Sequence, residues 1–404
     1  MTRGGLTSPG ALARFGRMIP TQVPSSPEAP SRRDIRIDLF RGLALVFIFL
    51  DHIPNNTFGL ITLRNFGFSD AAEMFVFFSG FSAGRAYGAV MERQGWWVAA
   101  KRILKRCRDI YLAHLLLLAA LSVAVTWAAA ATHRQAFLED MRISPLFWDA
   151  PRALFQTLLL RFRPENTDVL PLYVVVMLCF PAVLWALEKR PRLVLLGSFA
   201  LYGVANWFNL NFHTYPHGDL WLFNPLAWQA LFTLGAYLGI RKTPLVPSLA
   251  VNRVLVPLCV IYLLVALYLA VSWVQPWLLT SVPAWLGPLI YPISKTNLAP
   301  LRFVHFLALA YLGSLLVPIG AGWLRSRWAK PLVRCGQHSL PIFCTGVFLS
   351  FVAYYFLVMV DGSLITQGAV SGTGIGVLIG AAFWLGERKI KQAVARAAAH
   401  HGQG

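Results

Sequence analysis

Long runs of apolar residues, separated by short polar or basic segments, extend from about residue 38 to residue 386. A helix crosses a hydrocarbon core of about 30 Å with roughly 20 apolar residues. The pattern therefore predicts an all-α, polytopic integral membrane protein with about ten transmembrane helices. The predicted helices lie near residues 38–56, 70–90, 109–131, 168–187, 192–208, 223–240, 254–273, 303–322, 338–360 and 366–386.

Composition supports this fold class, and the distribution of charge predicts an orientation. Of the 404 residues, 57% are hydrophobic and 13% are charged, which is typical of integral membrane proteins. If alternate connections face opposite sides, 26 of the 36 Lys and Arg lie on the side of the termini and 8 on the other. The positive-inside rule then places both termini in the cytoplasm. The basic residues form short clusters rather than one tract, so we attribute the net charge of +19 to membrane topology. No nucleic-acid partner is expected.

The chain divides into three parts. Residues 1–33 are rich in Pro, Ser, Gly and Ala and lack the apolar core of a signal peptide, so we expect a disordered cytoplasmic segment there. Residues 34–388 are expected to form the membrane domain, and residues 389–404 a basic cytoplasmic tail. The long outer connections, about 132–167 and 274–302, either hold a large external ligand or are ordinary capping loops.

An arginine and a histidine bound the first apolar run. In RGLALVFIFLDHIPNN (41–56), Arg41 and His52 are eleven residues apart, which in a helix is about 20° past three full turns and about 16 Å along the axis. Both are therefore predicted on one face, at two depths. Since an ionisable group inside a bilayer needs a partner or a function, His52 is a candidate general base that accepts a hydroxyl proton. The alternative is a buried His–Asp pair that joins two helices.

Two acids follow at the start of the second predicted helix. In SDAAEMFVFFSGFSAGRAYG (69–88), Asp70 and Glu73 are three residues apart and share a face. Either carboxylate is a candidate to orient His52 across the helix interface, and it is favoured over Asp51, which lies about 100° round the helix from the histidine. Asp70 also suits a purely structural position, the N-cap of the helix.

The same helix contains a small-residue motif and an arginine. Gly80 and Gly84 form a small-xxx-small pair, which is typical of helices that approach each other closely in lipid. Arg85 follows directly and either pairs with an acid or meets an anionic ligand.

A basic segment precedes the third predicted helix. MERQGWWVAAKRILKRCR (91–108) contains Arg102, Arg106 and Arg108, together with two lysines, at helical spacing. Such a cluster binds either the phosphates of a nucleotide-like cofactor or anionic lipid head groups. The chain contains no Gly-rich phosphate loop, no Cys/His metal spacing among its five cysteines and no G-x-S-x-G motif. No metal cofactor is therefore expected, and an ATP-driven pump or a serine esterase is disfavoured.

These motifs resemble those of known families. Arg41 followed by His52 resembles the first-helix signature of the membrane acyltransferase family 3. More closely, DLFRGLALVFIFLDHIPNN, FGFSDAAEMFVFFSGFSAGRAYG and RCRDIYLAH resemble the OpgC family, whose members attach succinyl groups to osmoregulated periplasmic glucans. The resemblance is strong over about residues 34–115 and weaker to about 388. It implies a multi-pass protein of the bacterial inner membrane.

The resemblance also implies a reaction and roles for individual residues. Succinyl-CoA would be the acyl donor, a periplasmic glucan the acceptor, and the lipid bilayer the surroundings. Arg64, Arg85 and Arg302 are the cations considered for the succinyl carboxylate. The implied catalytic residues are His52, Asp70, Glu73 and Arg41, and the implied coenzyme A-binding residues are Arg102, Arg106, Arg108 and Arg85.

Two other functions remain open. A secondary transporter or exporter would use the buried acids as a proton relay, although the repeats and broken helices of such proteins are not evident in the sequence. A structural partner of glucan synthases would tolerate substitution of His52.

Overall fold

A computed structural model describes residues 34–216, 218–241 and 252–401; the predicted segment 1–33 lies outside these residues. The described part is all-helical, which confirms the fold class, and each of the ten predicted stretches overlaps one long helix. The ten helices are α1 (Ile35–Asp51), α2 (Ala71–Gln94), α3 (Trp96–Thr132), α4 (Val169–Lys189), α5 (Pro191–Trp207), α6 (Pro225–Ile240), α7 (Leu255–Val274), α8 (Pro300–Leu316), α9 (Ser339–Met359) and α10 (Leu364–His401).

Five described helices are long and apolar enough to cross a membrane. They lie within α3, α4, α7, α9 and α10. The helices α1, α5 and α8 have 17 residues each and α6 has 16, fewer than the roughly 20 that a perpendicular crossing needs. The helix α2 has 24 residues but carries four charged side chains. Ten crossings and cytoplasmic termini therefore stay predictions.

Two helices extend beyond the predicted boundaries. The basic segment 91–108 is not a separate connection, because α3 begins at Trp96 and continues for 37 residues. The helix α10 continues through most of the predicted tail 389–404. Within 96–108 and 389–401 the sequence contains neither Pro nor Gly, the residues that most strongly interrupt a helix. At α1 the opposite holds, since the helix ends at Asp51 shortly before Pro54.

Four glycines hold α2 and α6 in backbone contact. A Cβ added at Gly80 or Gly84 would lie 2.1 Å from a carbonyl oxygen of α6. A Cβ added at Gly235 or Gly239 would lie 2.3 or 2.1 Å from a carbonyl oxygen of α2. The Gly80–Gly84 pair thus has the close-packing function predicted for it, and α6 supplies the matching pair.

This contact predicts opposite effects for one chemical change at two glycines. Gly84→Ala should lower the free energy of unfolding in detergent by about 3 kcal/mol, because the new methyl meets a backbone atom that has no free space behind it. Gly203→Ala on α5 should be neutral or slightly stabilising, since no atom lies within 4 Å of its added Cβ and alanine favours the helix. Thermal unfolding of the two purified variants measures the difference. Equal melting temperatures would contradict the packing described.

The helix α1 lies at the centre of the bundle and packs against α2, α9 and the short helix Lys330–Gln337. At its amino-terminal half, Gly42 faces the Leu332 carbonyl and Gly336 faces the Asp38 carbonyl, each at a distance that no Cβ could occupy. The close fit leaves α1 surrounded by neighbouring helices along most of its length. The side chains of Arg41 and His52 therefore open into spaces inside the bundle.

Candidate active site

Two cavities lie beside α1, one at each of its predicted functional residues. The Arg41 cavity has a volume of about 200 Å³, and its polar lining consists of Arg41, Ser79, Ser82, Tyr87, Arg106, Tyr173 and Ser339. The His52 cavity has a volume of about 430 Å³, and its polar lining consists of Asp51, His52, Arg64, Asp70, Glu165, Asn166, Asp168, Lys295 and Arg302. Arg41 and His52, which were predicted to share one helix face, thus line two different cavities.

The lining of the Arg41 cavity suits an anion. It is lined by two arginines, Arg41 and Arg106, and by no acidic residue. Arg41 donates a hydrogen bond from Nη2 to Oγ of Ser339 on α9. Arg106 reaches the cavity from α3, in the part of that helix that carries the basic cluster. Guanidinium groups in such a setting bind phosphate or carboxylate oxygens.

The other arginines predicted to bind coenzyme A do not line this cavity. Arg102 is exposed and donates to the side-chain oxygen of Gln94 at 2.8 Å. Arg108 is exposed and pairs with Asp109 at 3.4 Å. Arg85 lies on α2 and lines neither the Arg41 cavity nor the His52 cavity. The structure therefore brings Arg41 and Arg106 together, and it leaves Arg102 and Arg108 on the surface of α3.

Backbone contacts hold His52 at the end of α1. The amide N–H of His52 donates to the Ile48 carbonyl at 3.0 Å, and the His52 carbonyl accepts from Nδ2 of Asn166 at 3.3 Å. The ring lines the His52 cavity, and its buried Nδ1 has no hydrogen-bond partner among the described residues. A histidine that lines a polar cavity can exchange a proton with a ligand bound there.

Asp70 and Glu73 form a capping box at the start of α2. Oδ1 of Asp70 accepts from the Ala72 N–H at 2.7 Å, and Oε2 of Glu73 accepts from the Asp70 N–H at 2.9 Å. The capping interpretation of Asp70 is confirmed, while its support of His52 stays a prediction. No hydrogen bond joins either carboxylate to the His52 ring in the described part of the chain. Glu73 is fully buried and does not line the cavity.

Cations from a distant part of the chain contact both carboxylates. Arg302 on α8 donates from Nε to Oε1 of Glu73 at 2.7 Å and from Nη2 to Oδ2 of Asp70 at 3.1 Å. Lys295 lies 2.7 Å from the same oxygen of Asp70. One helical turn after Arg302, His305 contacts the hydroxyl of Ser69 at 2.7 Å. The start of α2 is therefore fixed to α8 by charge and by hydrogen bonds.

Sequence reasoning missed three charged residues of the His52 cavity. Lys295, Glu165 and Asp168 lie in the two long connections that were predicted only as ligand-binding places or capping loops. Burial raises the pKa of Glu165 and Asp168, although Arg142 and Arg163 act in the opposite direction. The usable signal was the clustering of charged residues at 161–168, RFRPENTD, immediately before an apolar helix.

Comparison with known proteins identifies the family. Searches of characterised proteins and of solved structures each gave no significant match. Residues 33–390 match the family model described as OpgC protein. This range spans α1 to α9 in full and most of α10, and it contains every residue that lines the two cavities. The chain therefore belongs to the OpgC protein family.

Proposed function

We propose that the protein transfers succinyl groups from cytosolic succinyl-CoA to hydroxyls of osmoregulated periplasmic glucans. Family membership supports a transferase that modifies glucans. The observation that carries the finer proposal is the pair of adjacent cavities, one lined by two arginines and one lined by His52. Such an arrangement suits a donor and an acceptor that approach from opposite sides.

The donor would bind at the Arg41 cavity. Its two arginines and its lack of lining acids suit the anionic arm of a coenzyme A thioester. A volume of about 200 Å³ is below that of most drug-sized sites, so the cavity would hold the pantetheine arm while the nucleotide stays outside. Arg102 lies on the exposed surface of α3, where it would meet the nucleotide phosphates, whereas Arg108 is paired with Asp109.

The acceptor would enter through the His52 cavity. Asp51 and Arg64 of this cavity also line a polar depression of about 430 Å³. The depression is lined by the amides and hydroxyls of the 54–65 segment, including Asn55, Asn56, Thr57 and Asn65. Side chains of this kind form hydrogen bonds with sugar hydroxyls. A glucan chain would lie there with one hydroxyl directed at His52.

In the proposed reaction, His52 removes the proton of the sugar hydroxyl as its oxygen attacks the thioester carbonyl. The carbon–sulfur bond then breaks, and the departing sulfur of coenzyme A receives the proton back from His52. The products are the succinyl ester and coenzyme A with a free thiol, so atoms and charge balance.

Arg64 is the cation that we assign to the succinyl carboxylate. It lines the His52 cavity and forms no salt bridge with an acid of the described residues, whereas Arg302 is paired with Asp70 and Glu73. Arg85 lines neither cavity. An exposed guanidinium that forms no salt bridge is available for a two-pronged contact with a carboxylate.

The direct test supplies purified protein in vesicles with labelled succinyl-CoA and a periplasmic glucan. Label should appear on the glucan as an ester that mild alkali removes. A preparation that binds coenzyme A but never labels the glucan would reject the proposal.

Coenzyme A binding gives a sharper test of the donor site. Coenzyme A should raise the melting temperature of the protein, and Arg106→Gln should weaken its binding by about tenfold, because a charge-assisted contact contributes about 1.5–3 kcal/mol. Arg108→Gln is the matched control, since Arg108 lies on the same helix outside the cavity and is paired with Asp109. Isothermal titration measures both affinities. Equal losses in the two variants would mean that the cluster acts only through its overall charge.

The same measurement separates an enzyme from a transporter. Two cavities closed to each other also occur in an occluded transporter, which would move a glycan or acyl compound across the membrane. Such a transporter has no reason to be stabilised by coenzyme A. Failure of coenzyme A to shift the melting temperature, with glucan transport intact, would favour the transporter.

A further inference from the structure

The boundary between the two cavities is one aromatic layer thick. Among the described residues, Phe343 alone lines both the Arg41 cavity and the His52 cavity. On α2, Ala72 lines the His52 cavity and Phe75, one turn later, lines the Arg41 cavity. On α4, Val169 and its neighbour Leu170 are divided in the same way. Three helices therefore pass from one cavity to the other at one level.

Aromatic rings close the path at this level. The rings of Phe343 and Phe75 are stacked, with centroids 5.8 Å apart and planes inclined by 21°. The Tyr173 and Phe75 rings are inclined by 80°, with centroids 5.6 Å apart. A chain held between two ring faces needs about 7 Å, which is twice the carbon contact distance of about 3.5 Å. The pantetheine arm of a donor cannot pass between these two rings in this arrangement.

The Phe75 ring packs against neighbouring side chains, whereas Phe343 adjoins both cavities. The hydroxyl of Tyr173 donates to the Phe75 carbonyl at 3.1 Å, so the tyrosine contacts both the ring and the backbone of that residue. The Phe343 side chain is 2% exposed, yet each cavity adjoins it. A change of its side-chain rotamer would move the ring into one cavity or the other without displacing a helix.

We propose that Phe343 is a gate that opens to admit the acyl thioester from the Arg41 cavity to His52 and closes behind it. The proposal deepens the proposed function and rests on it. The gate is a positioning residue, because it acts on the path of the donor and not on the reacting atoms. In the closed state, the gate separates a thioester bound in the Arg41 cavity from the water of the His52 cavity. Without this separation the thioester would be hydrolysed.

The gate predicts opposite effects of shortening and enlarging one side chain. With Phe343→Ala or the milder Phe343→Leu, hydrolysis of succinyl-CoA without glucan should rise about tenfold for alanine and less for leucine. With Phe343→Trp, transfer to the glucan should fall about tenfold. Coenzyme A affinity is measured in the same three variants, because Phe343 also lines the Arg41 cavity and a change in donor binding must be separated from a change in the path. Radiolabelled succinyl-CoA in proteoliposomes, with and without glucan, measures both reactions.

Phe351→Ala is the matched control. Phe351 lies on the same helix, is 4% exposed and contacts Phe137 instead of either cavity. It should lose stability as Phe343→Ala does, while its hydrolysis without glucan stays at the wild-type rate. Unchanged hydrolysis in Phe343→Ala, or an equal rise in Phe351→Ala, would overturn the proposal.

A second measurement does not depend on the reaction. In a chain whose five natural cysteines are replaced by serine, Ala72→Cys places a thiol in the His52 cavity. A charged thiol reagent applied at the side of the Arg41 cavity should modify it about tenfold faster when Phe343→Ala is added. An unchanged rate would overturn the gate. If the wild-type protein transferred no succinyl group but the rate still rose, the proposed function would fail and the gate would stand.

Discussion

Replacement of His52 by alanine should reduce succinyl transfer to the glucan by about 10²- to 10⁴-fold, the usual contribution of a general base. His52 lines the His52 cavity, where its ring can accept the proton of a bound hydroxyl. The residue is outside the Arg41 cavity, so coenzyme A affinity should stay within about twofold of wild type. A loss of turnover with retained donor binding is what removal of a proton acceptor predicts.

The control for this prediction is His213→Ala. His213 is exposed and bonded through Nδ1 to the Gly218 carbonyl, outside both cavities. Its removal should leave transfer unchanged. Labelled succinyl-CoA and glucan, given to vesicles that contain equal amounts of each variant, measure the rates. Transfer by His52→Ala at the wild-type rate would reject the assigned base and favour a purely structural histidine.

Replacement of Arg302 by methionine should produce the largest loss of stability, about 3–5 kcal/mol in the free energy of unfolding. The Arg302 side chain is 11% exposed, and its partners Asp70 and Glu73 are 12% and 0% exposed. Lys295 would still neutralise Asp70, but the Glu73 carboxylate would lose its hydrogen bond from the guanidinium. A buried charge without a partner is far more costly than an exposed one.

Two comparisons separate this effect from a general loss of charge. Arg108→Met removes an ion pair whose side chains are 64% and 41% exposed, so it should cost less than about 1 kcal/mol. Glu73→Gln combined with Arg302→Met should recover part of the loss, because the uncompensated charge is then absent. Thermal unfolding in detergent measures all three variants. No recovery in the double variant would show that Arg302 acts through packing and not through Glu73.

The placement of Asp70 and Glu73 shows why a motif does not reveal its own use. Their spacing predicts that they share one face of the helix, and both accept hydrogen bonds at the start of α2. The decisive partner is Arg302, which is 229 residues from Glu73 in the chain. Local spacing contains no information about such a contact, because it depends on where α8 packs. The orientation of His52 by these acids therefore remains to be tested.

The basic segment of α3 gives a second example. Helical spacing grouped Arg102, Arg106 and Arg108, yet only Arg106 lines the Arg41 cavity. Which side of a helix faces a cavity depends on the neighbouring helices, here α2, α4 and α9. The sequence identified the cluster, and the packing selected one member of it.

The sequence by itself determined the all-helical fold, the positions of the ten long helices, the close packing at Gly80 and Gly84, and the family. These properties follow from local patterns, since apolar run length and residue spacing act within one helix or one motif. Only the tertiary structure decided that Arg41 and His52 serve separate cavities, that Arg302 holds the acids of α2, and that Phe343 divides the path between the cavities. Each of these depends on side chains that meet across helices far apart in the chain, where the packing of the bundle and not the local pattern sets the distance.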